Sequence, residues 1–511
     1  MFEHVAQAFV GVLAWQSVLA MCVGTLLGIM LSALPGLSAT MCIALAIPFT
    51  YGMDTLPALG LLAGIHNGAS QGGAIPAVLL RIPGNAGSIC TAWDGYPMAR
   101  QGHAGAAINL AAWSSAVGGM ISALSLVLLA PPLAQVALKF GPPEIFWVNI
   151  FGLVTIAAML GDDLLKGILA ACFGLLIGTV GLDNVTGHER FTFGVLQLVN
   201  GIPELAVMVG MFSLPPAWEM AQHVHVHGAR TAFSIRHESG FWRFAQVWRV
   251  WIKSSLIGIV IGILPGSAIS AFIAYTEAKR SSKQPEKFGH GSIEGLAAAE
   301  SVNNADNAAA MIPTLTLGVP GSSIAALMLG ALLIQGFQPG PQLFRDAPQV
   351  VYGYAWQMFL TSALLIVLGG SLANRVFSNI LRVPQAMLLP LIIVMAVAGG
   401  FGAQNSMFDV YTAFVFGLVG FAMVRFGFPI APVIIGVVLG SKAEFNLRIS
   451  LLMSAGDPSI LYTRPICVVL IVLSALLLFY PAVRYLREQR KARRAPMRQA
   501  EPARPELGQP S

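Results

Sequence analysis

HVAQAFVGVLAWQSVLAMCVGTLLGIMLSALPGLSATMCIALAIPFTYGM, from His4 to Met53, contains no Lys, Arg, Asp or Glu. A helix needs about 20 apolar residues to cross ~30 Å of hydrocarbon, so this stretch is long enough for two crossings. A water-soluble core does not use that much uninterrupted apolar chain. The stretch is also broken at Pro35-Gly36. Proline removes a backbone donor and glycine permits a turn, so the helix is expected to stop there and restart. Broken backbone at membrane depth survives only inside protein or beside a cavity.

The same pattern runs outward along the 511-residue chain. Neutral stretches also separate Asp54 from Arg81, Asp306 from Arg345 and Asp409 from Arg425. Charged residues make up 10% of the sequence and hydrophobic ones 56%, against about 25% charged in an ordinary soluble domain. This excludes a soluble enzyme, a nucleic-acid binder, a disordered chain and a disulfide scaffold. Transmembrane strands are excluded too, because the runs are continuously apolar rather than alternating. Candidate membrane helices lie at 9–34, 37–66, 104–130, 143–160, 164–182, 198–218, 254–276, 294–312, 350–373, 384–402, 409–426 and 465–483. The expected fold is an all-α polytopic membrane protein with about 10–14 membrane helices.

Four smaller features stand outside these apolar runs or within them. Cys22, Cys42, Cys90, Cys172 and Cys467 sit in apolar runs without Cys-x-x-Cys spacing and read as core residues. His223, His225 and His227 read as a solvated loop, since zinc sites add acidic or cysteine partners; no metal is expected. Phe241–Lys253, rich in Trp and Arg, reads as a helix lying in the membrane interface. The basic, proline-containing residues 484–511 read as a disordered cytoplasmic tail. The expected organisation is a first transmembrane repeat over 1–220, the histidine loop and interfacial helix over 221–253, a second repeat over 254–483, and the tail.

The repeats rest on spacing. Gly28 precedes Pro35-Gly36 by seven residues, as Gly258 precedes Pro265-Gly266. PAVLLRIPG (Pro76–Gly84) and PTLTLGVPG (Pro313–Gly321) repeat a second spacing, with Asn67 and Asn304 each nine residues upstream. The halves are thus offset by 230–237 residues. Pro35, Gly36, Pro83, Gly84, Pro265, Gly266, Pro320 and Gly321 are the expected structural breaks. Small polar residues follow each: Ser38 and Thr40, Asn85 and Ser88, Ser267 and Ser270, Ser322 and Ser323. Helices restarting there aim free N–H groups and a positive dipole at the break, which suits a carboxylate. Two repeats with paired breaks are the mark of a secondary transporter, and the repeats are expected to be inverted.

Gly72–Asn109 (GGAIPAVLLRIPGNAGSICTAWDGYPMARQGHAGAAIN) and Gly262–Ser323 resemble the large membrane subunit of tripartite tricarboxylate transporters, the TctA family. Gly28–Tyr51 is similar too. The resemblance implies import of organic carboxylates such as citrate across the bacterial inner membrane, driven by an ion gradient, usually sodium. It also implies two partners, a small membrane subunit and a periplasmic solute-binding protein, and no ATPase. Gln71-Gly72-Gly73-Ala74, Ala298-Ala299-Glu300 and Asp306 depart from the family pattern near the expected site, which leaves the substrate open.

The expected substrate-binding residues are Ser38, Asn85, Ser88, Thr91, Ser267, Ser322 and Ser323. The expected cation-coupling residues are Asn67, Glu300, Asn303, Asn304 and Thr316. Sodium is the expected coupling ion, with the proton as the alternative, and no cofactor is expected. Glu300 and Asp306 are ionisable groups in an apolar context and hence functional candidates, with an interfacial loop as the other reading. Arg81 either pairs with a carboxylate or snorkels to the interface. Asp94 reads as a turn or cap residue. The alternative functions are a stand-alone ion-coupled carrier or a channel for another small anion. An enzyme is not expected: there is no H-E-x-x-H, G-x-S-x-G or Walker A motif, and Gly436–Lys442 only approximates a phosphate loop.

Overall fold

The computed structural model describes residues 2–34, 37–159, 164–183, 185–222, 244–263, 270–372 and 385–494. The chain is helical. Its first half contains α1 (Phe2–Val12), α2 (Trp15–Ser32), α3 (Ala39–Ala46), α4 (Thr55–Gly72), α5 (Ala74–Leu80), α6 (Ile89–Arg100), α7 (Ala104–Ala137), α8 (Pro142–Met159), α9 (Leu164–Gly178) and α10 (Glu204–Gln222). The second contains α11 (Phe244–Ile263), α12 (Ser270–Ser281), α13 (Ile293–Leu317), α14 (Ser323–Ile334), α15 (Leu343–Asp346), α16 (Pro348–Leu365), α17 (Gln385–Gln404), α18 (Met407–Arg425), α19 (Ala431–Met453), α20 (Ile460–Thr463) and α21 (Pro465–Arg494). The strands among the described residues are β1 (Gly181–Leu182) and β2 (Glu189–Arg190), an antiparallel pair between α9 and α10.

Five helical segments among the described residues are long and apolar enough to cross a bilayer: Trp15–Ser32, Ala104–Ala137, Ala245–Ile263, Pro348–Gly370 and Met407–Arg425. Shorter apolar helices such as Leu164–Gly178 and Ser323–Ile334 accompany them. The single helix expected over 37–66 is divided. After α3 the chain tightens into a 3-10 turn over Ile47–Thr50, where Pro48 removes a donor, and it restarts only at Thr55. α19 was not expected at all. Ser441, Lys442, Glu444, Asn446 and Arg448 dilute its hydropathy, and in the structure they face cavities or ion pairs.

Small residues set how the long helices pack. A Cβ at Gly28 of α2 would lie 2.8 Å from the Ala69 nitrogen of α4, and one at Gly64 of α4 would lie 2.6 Å from the Thr25 nitrogen. Gly24 meets Leu61 and Gly72 meets Ile29, so residue numbers rise together and α2 runs parallel to α4. Close backbone approach of this kind is how helices associate where lipid offers no hydrophobic drive. The second half repeats it. Gly258 of α11 meets Val302 and Ala305 of α13, and Gly262 meets Asp306 and Ala309. Gly28 and Gly258, paired in the sequence by their distance from a Pro-Gly break, therefore do the same work.

α4 and α13 cross in opposite directions: Asn67 bonds Asn307, while Ser70 accepts from Asn303. Each half thus presents a parallel helix pair, and the two pairs oppose one another. α12 returns alongside α13, with Ser270 beside Asp306 and Tyr275 beside Gly295. The order of long helix, short helix, long helix, short helix, long helix occurs from α2 to α7, with α5 continuing α4. It occurs again from α11 to α16, with α15 between the last two.

Two expectations shift at the edges. The interfacial helix expected over 241–253 is instead the beginning of α11, which continues without a break to Ile263. Trp251 is buried and its Nε1 donates to Ser114 Oγ at 2.8 Å, anchoring this turn in protein rather than in headgroups. The tail expected from 484 begins as helix, because α21 runs to Arg494; 495–511 lie outside the described residues. So do Pro35, Gly36, Pro265, Gly266, Ser267, the His223–His227 loop and 241–243.

Outside the apolar layers, β1 and β2 are tied to α19 by charge. Arg448 reaches Asp183 at 2.6 Å and Arg190 reaches Glu444 at 2.6 Å. The Val185 amide, followed by Thr186 and Arg448, holds the Asp183 carboxyl below the usual carboxylate range.

Candidate functional site

A cavity of about 250 Å³ lies between α4 and α13. The α13 residues on its wall are Asn303, Asp306, Asn307 and Ala310. α13 has 25 residues, so at 1.5 Å per residue these side chains lie roughly 10 to 25 Å from its two ends. The cavity lies near the middle of α13.

Residues following each of the four expected breaks line this one space. Ser38, Ala39 and Thr40 follow the first, Asn85 and Gly87 the second, Ser270 the third, and Ser322, Ser323 and Ile324 the fourth. At two of the breaks the backbone itself is described: Pro83-Gly84 and Pro320-Gly321 lie in non-helical segments between α5 and α6 and between α13 and α14. Four helices therefore begin at or near the cavity. α3 and α14 run from it toward one face, where Gln335 Nε2 donates to the Thr50 carbonyl at 2.8 Å. α6 and α12 run toward the other, where the Asp94 and Tyr275 side chains meet. Each start carries part of the positive end of a helix dipole.

The caps are built as the sequence suggested. Ser38 Oγ accepts from the Met41 amide at 3.2 Å and Ser322 Oγ from the Ala325 amide at 3.1 Å. Each hydroxyl keeps its proton to donate into the cavity. Asn85 Oδ1 accepts from the Ser88 amide at 2.9 Å, and its Nδ2 donates to the Ser70 carbonyl at 3.1 Å. Asn303 Nδ2 donates to the same carbonyl at 3.2 Å. Gly87 is packed against the Asn303 side chain, leaving no room for a Cβ. Asn307 Nδ2 donates to Ser70 Oγ at 2.9 Å, and Ser270 Oγ donates to Asp306 Oδ2 at 3.1 Å.

Of the expected substrate residues, Ser38, Asn85, Ser322 and Ser323 line the cavity. Ser88 is buried behind Asn85, and Thr91 donates to the Glu300 carboxylate. Ser115 Oγ donates to that carboxylate as well, at 2.9 Å, so Glu300 joins α6, α7 and α13 away from the cavity wall. Among the expected cation residues, only Asn303 reaches the wall. Thr316 Oγ1 donates to the Ile312 carbonyl of its own helix at 2.7 Å. Asn67 Nδ2 donates to Thr361 and Ser362 of α16 at 2.9 and 3.0 Å. Asn304 Nδ2 donates to the Asn67 carbonyl at 3.4 Å, while Asn304 Oδ1 is buried with no donor among the described residues.

His66 and Ser70 of α4 were missed. His66 is 2% exposed and its Nδ1 has no partner among the described residues, yet it lines the cavity. The signal was available: His66 and Ser70 are four apart on one helical face, as are Asn303 and Asn307 on the facing helix. Arg81 is exposed, stacks over Tyr96 at 5.9 Å and lies outside this cavity, in a surface pocket with Arg100 and His290. Asp94 is no loop residue. Lying on α6, it accepts from the amides of Gly289, Gly291 and Ser292 at 2.8 to 3.0 Å and from Tyr275 Oη at 2.8 Å.

The site so assembled holds one carboxylate, one imidazole, amides, hydroxyls and converging helix starts. Residues 18–435 match the profile of the tripartite tricarboxylate transporter TctA family. An Agrobacterium vitis protein described as an uncharacterized 52.8 kDa protein in the TAR-I ttuC' 3' region is 37% identical over 476 residues, covering 91% of this chain and 94% of its own length. A second, from the TAR-II ttuC' 3' region of the same organism, is 37% identical over 237 residues, covering 45% of this chain and 98% of its own. No solved structure matches the chain.

Proposed function

Because the chain belongs to the TctA family of tripartite tricarboxylate transporters, we propose that it is the permease subunit of a binding-protein-dependent secondary transporter that imports tricarboxylates or related organic carboxylates with sodium. The family and the apolar helices make it a multi-pass membrane protein of a transport system. The inner-membrane location, the small membrane subunit, the periplasmic binding protein and the coupling ion are part of the proposal. A stand-alone carrier or channel is the competing reading.

One observation carries the proposal: helix starts from both faces converge on a polar cavity near the middle of α13. Substrate carboxylates are held by first-turn amides of α3 and α14, with hydroxyls of Ser38, Ser322 and Ser323 and the Asn85 amide. Such donors bind an anion without a buried arginine that would slow release. His66 adds a hydrogen bond from the opposite wall. The cation takes oxygens from Asn303 and Asp306 at the wall and from Asn304, whose Oδ1 lacks a donor. Thr316, already bonded within its helix, is less suited. Glu300, buried between two hydroxyls with no basic partner described, is the group that would carry a proton if protons replace sodium. The two halves are inverted repeats, and α11 and α12 form a hairpin that enters and leaves by one face.

The test is uptake of labelled citrate into vesicles containing this chain with and without its two partners. Without them uptake should be small, and with them it should saturate and follow an imposed sodium gradient. Asn304→Ala should raise the sodium needed for half-maximal uptake. Ser322→Ala should weaken citrate by about 1.5–3 kcal/mol, the worth of one hydrogen bond to a charged group. Sodium dependence unchanged in a folded Asn304→Ala protein would remove the cation assignment. Flux that ignores the sodium gradient would favour the channel.

A further inference from the structure

A second cavity, of about 610 Å³, lies beyond the break between α13 and α14. Leu317 and Gly318 line it, whereas Ser322 and Ser323 line the central cavity. Only Val319, Pro320 and Gly321 intervene in the chain. The far wall comes from α19 with Ser441, Lys442 and Asn446, and the near wall from Asn149 of α8 and the loop carrying Gln338 and Gln342.

Two observations mark this space as built for a ligand. Lys442 lies on α19 where the apolar run of its first half gives way to Ser441, Glu444 and Asn446, and among the described residues it makes no ion pair within 4.0 Å. The Glu204 carboxylate, which lines a neighbouring cavity, acts on it electrostatically without pairing with it. An ionisable residue within a helix bundle is a functional candidate by default. Asn149 is 3% exposed and its Nδ2 has no partner among the described residues. An unpaired buried donor is costly, and here it borders the same cavity as an ammonium. Amide groups of Gln338, Gln342 and Asn446 complete a set suited to an anion with several oxygens.

We infer that this cavity is a second carboxylate site, where substrate waits on one side of the α13–α14 break before crossing to the central cavity; this rests on the transport reading above. Lys442 attracts the anion, and Asn149 with the glutamine amides orients it. A single lysine, rather than a bidentate arginine, holds an anion that must move on.

The test is equilibrium binding of radiolabelled citrate to the full chain in nanodiscs, with thermal unfolding as a check of folding. The wild type should bind two equivalents, Lys442→Gln one, and Lys442→Arg two again. Asn149→Leu should weaken the same equivalent about tenfold. Ser322→Ala should weaken the other and leave this one in place. Two equivalents at wild-type affinity in Lys442→Gln would overturn the inference while leaving the central site standing. A wild type that binds one equivalent, lost through Ser322→Ala and kept in Lys442→Gln, would do the same. No citrate bound by any variant would overturn both readings.

Discussion

Arg81 and Gly318 stand 237 residues apart, the offset that relates the two Pro-Gly pairs following them. Both cap a helix in the left-handed region, with φ of 60° and 71°. The backbone demand is thus the same in both halves, but the side-chain answer differs. At Gly318 a Cβ would come 2.9 Å from the Pro339 carbonyl oxygen, so only glycine fits. At Arg81 the side chain is exposed and lies over Tyr96. Gly318→Ala should therefore cost about 2 kcal/mol, combining φ strain with the clash. Arg81→Gly should stay within about 0.5 kcal/mol, relief of strain offsetting unfolded-state entropy. Thermal unfolding of the two variants in one detergent checks this, and equal losses would refute the equivalence. The sequence showed the spacing but not the shared φ, because nothing in an arginine announces a left-handed turn.

At the scale of elements, the short helices after the breaks decide where function can sit, and buried carboxylates hold them there. Asp94 illustrates this. Its residue type and the Gly-Tyr-Pro after it suggested a turn or cap residue on a loop; it lies on α6 instead, and the segment it caps, ahead of α13, gives it three amides. The error has a physical source: a helical aspartate that caps another helix's entrance looks, in one dimension, like a turn residue. Asp94→Ala would leave those amides and Tyr275 Oη without an acceptor where water is excluded. Hydrogen bonds to a charged group contribute about 1.5–3 kcal/mol each, so a loss of at least ~3 kcal/mol is expected. Asp94→Asn, which keeps an acceptor oxygen, should lose less. The midpoint of thermal unfolding measures both, and a silent Asp94→Ala would show that the 289–292 segment is held by something else. The four helix starts were legible because caps and Pro-Gly pairs are local. The four-residue spacing of His66 and Ser70 was legible as one helical face, but not that α4 turns this face to α13.

For the whole molecule, the decisive relation is that α2 runs parallel to α4, α11 parallel to α13, and α4 antiparallel to α13. Spacing predicted two repeats, and the expectation that they are inverted came from the transporter pattern rather than from the spacing itself. Direction comes from which glycine meets which backbone, and that is a property of packing. Charge adds a side. Arg81, Arg100, Lys279, Arg280, Lys283 and Lys287 gather at the end where α13 begins, whereas at the other end Arg190, Arg448 and Arg464 are paired with Asp183, Glu444 and Glu144, leaving Lys139, Arg345 and Lys442. An excess of Lys and Arg is expected at the cytoplasmic face, so the prediction is that α13 begins in the cytoplasm and that the cavity around Lys442 opens toward the periplasm. α21 starts beside the Arg464–Glu144 pair at 3.0 Å, so the same prediction carries the C-terminal segment toward the cytoplasm. Inversion then places Tyr51, in the turn between α3 and α4, on the face opposite Lys283, in the turn between α12 and α13, although the two turns are equivalent in the repeat. Both residues are exposed. With the native cysteines replaced by alanine, Tyr51→Cys should react with a membrane-impermeant maleimide in intact spheroplasts. Lys283→Cys should react only after the membrane is opened. Labelling of both from the same side would mean the halves are parallel repeats, and the opposed helix starts would then need another explanation.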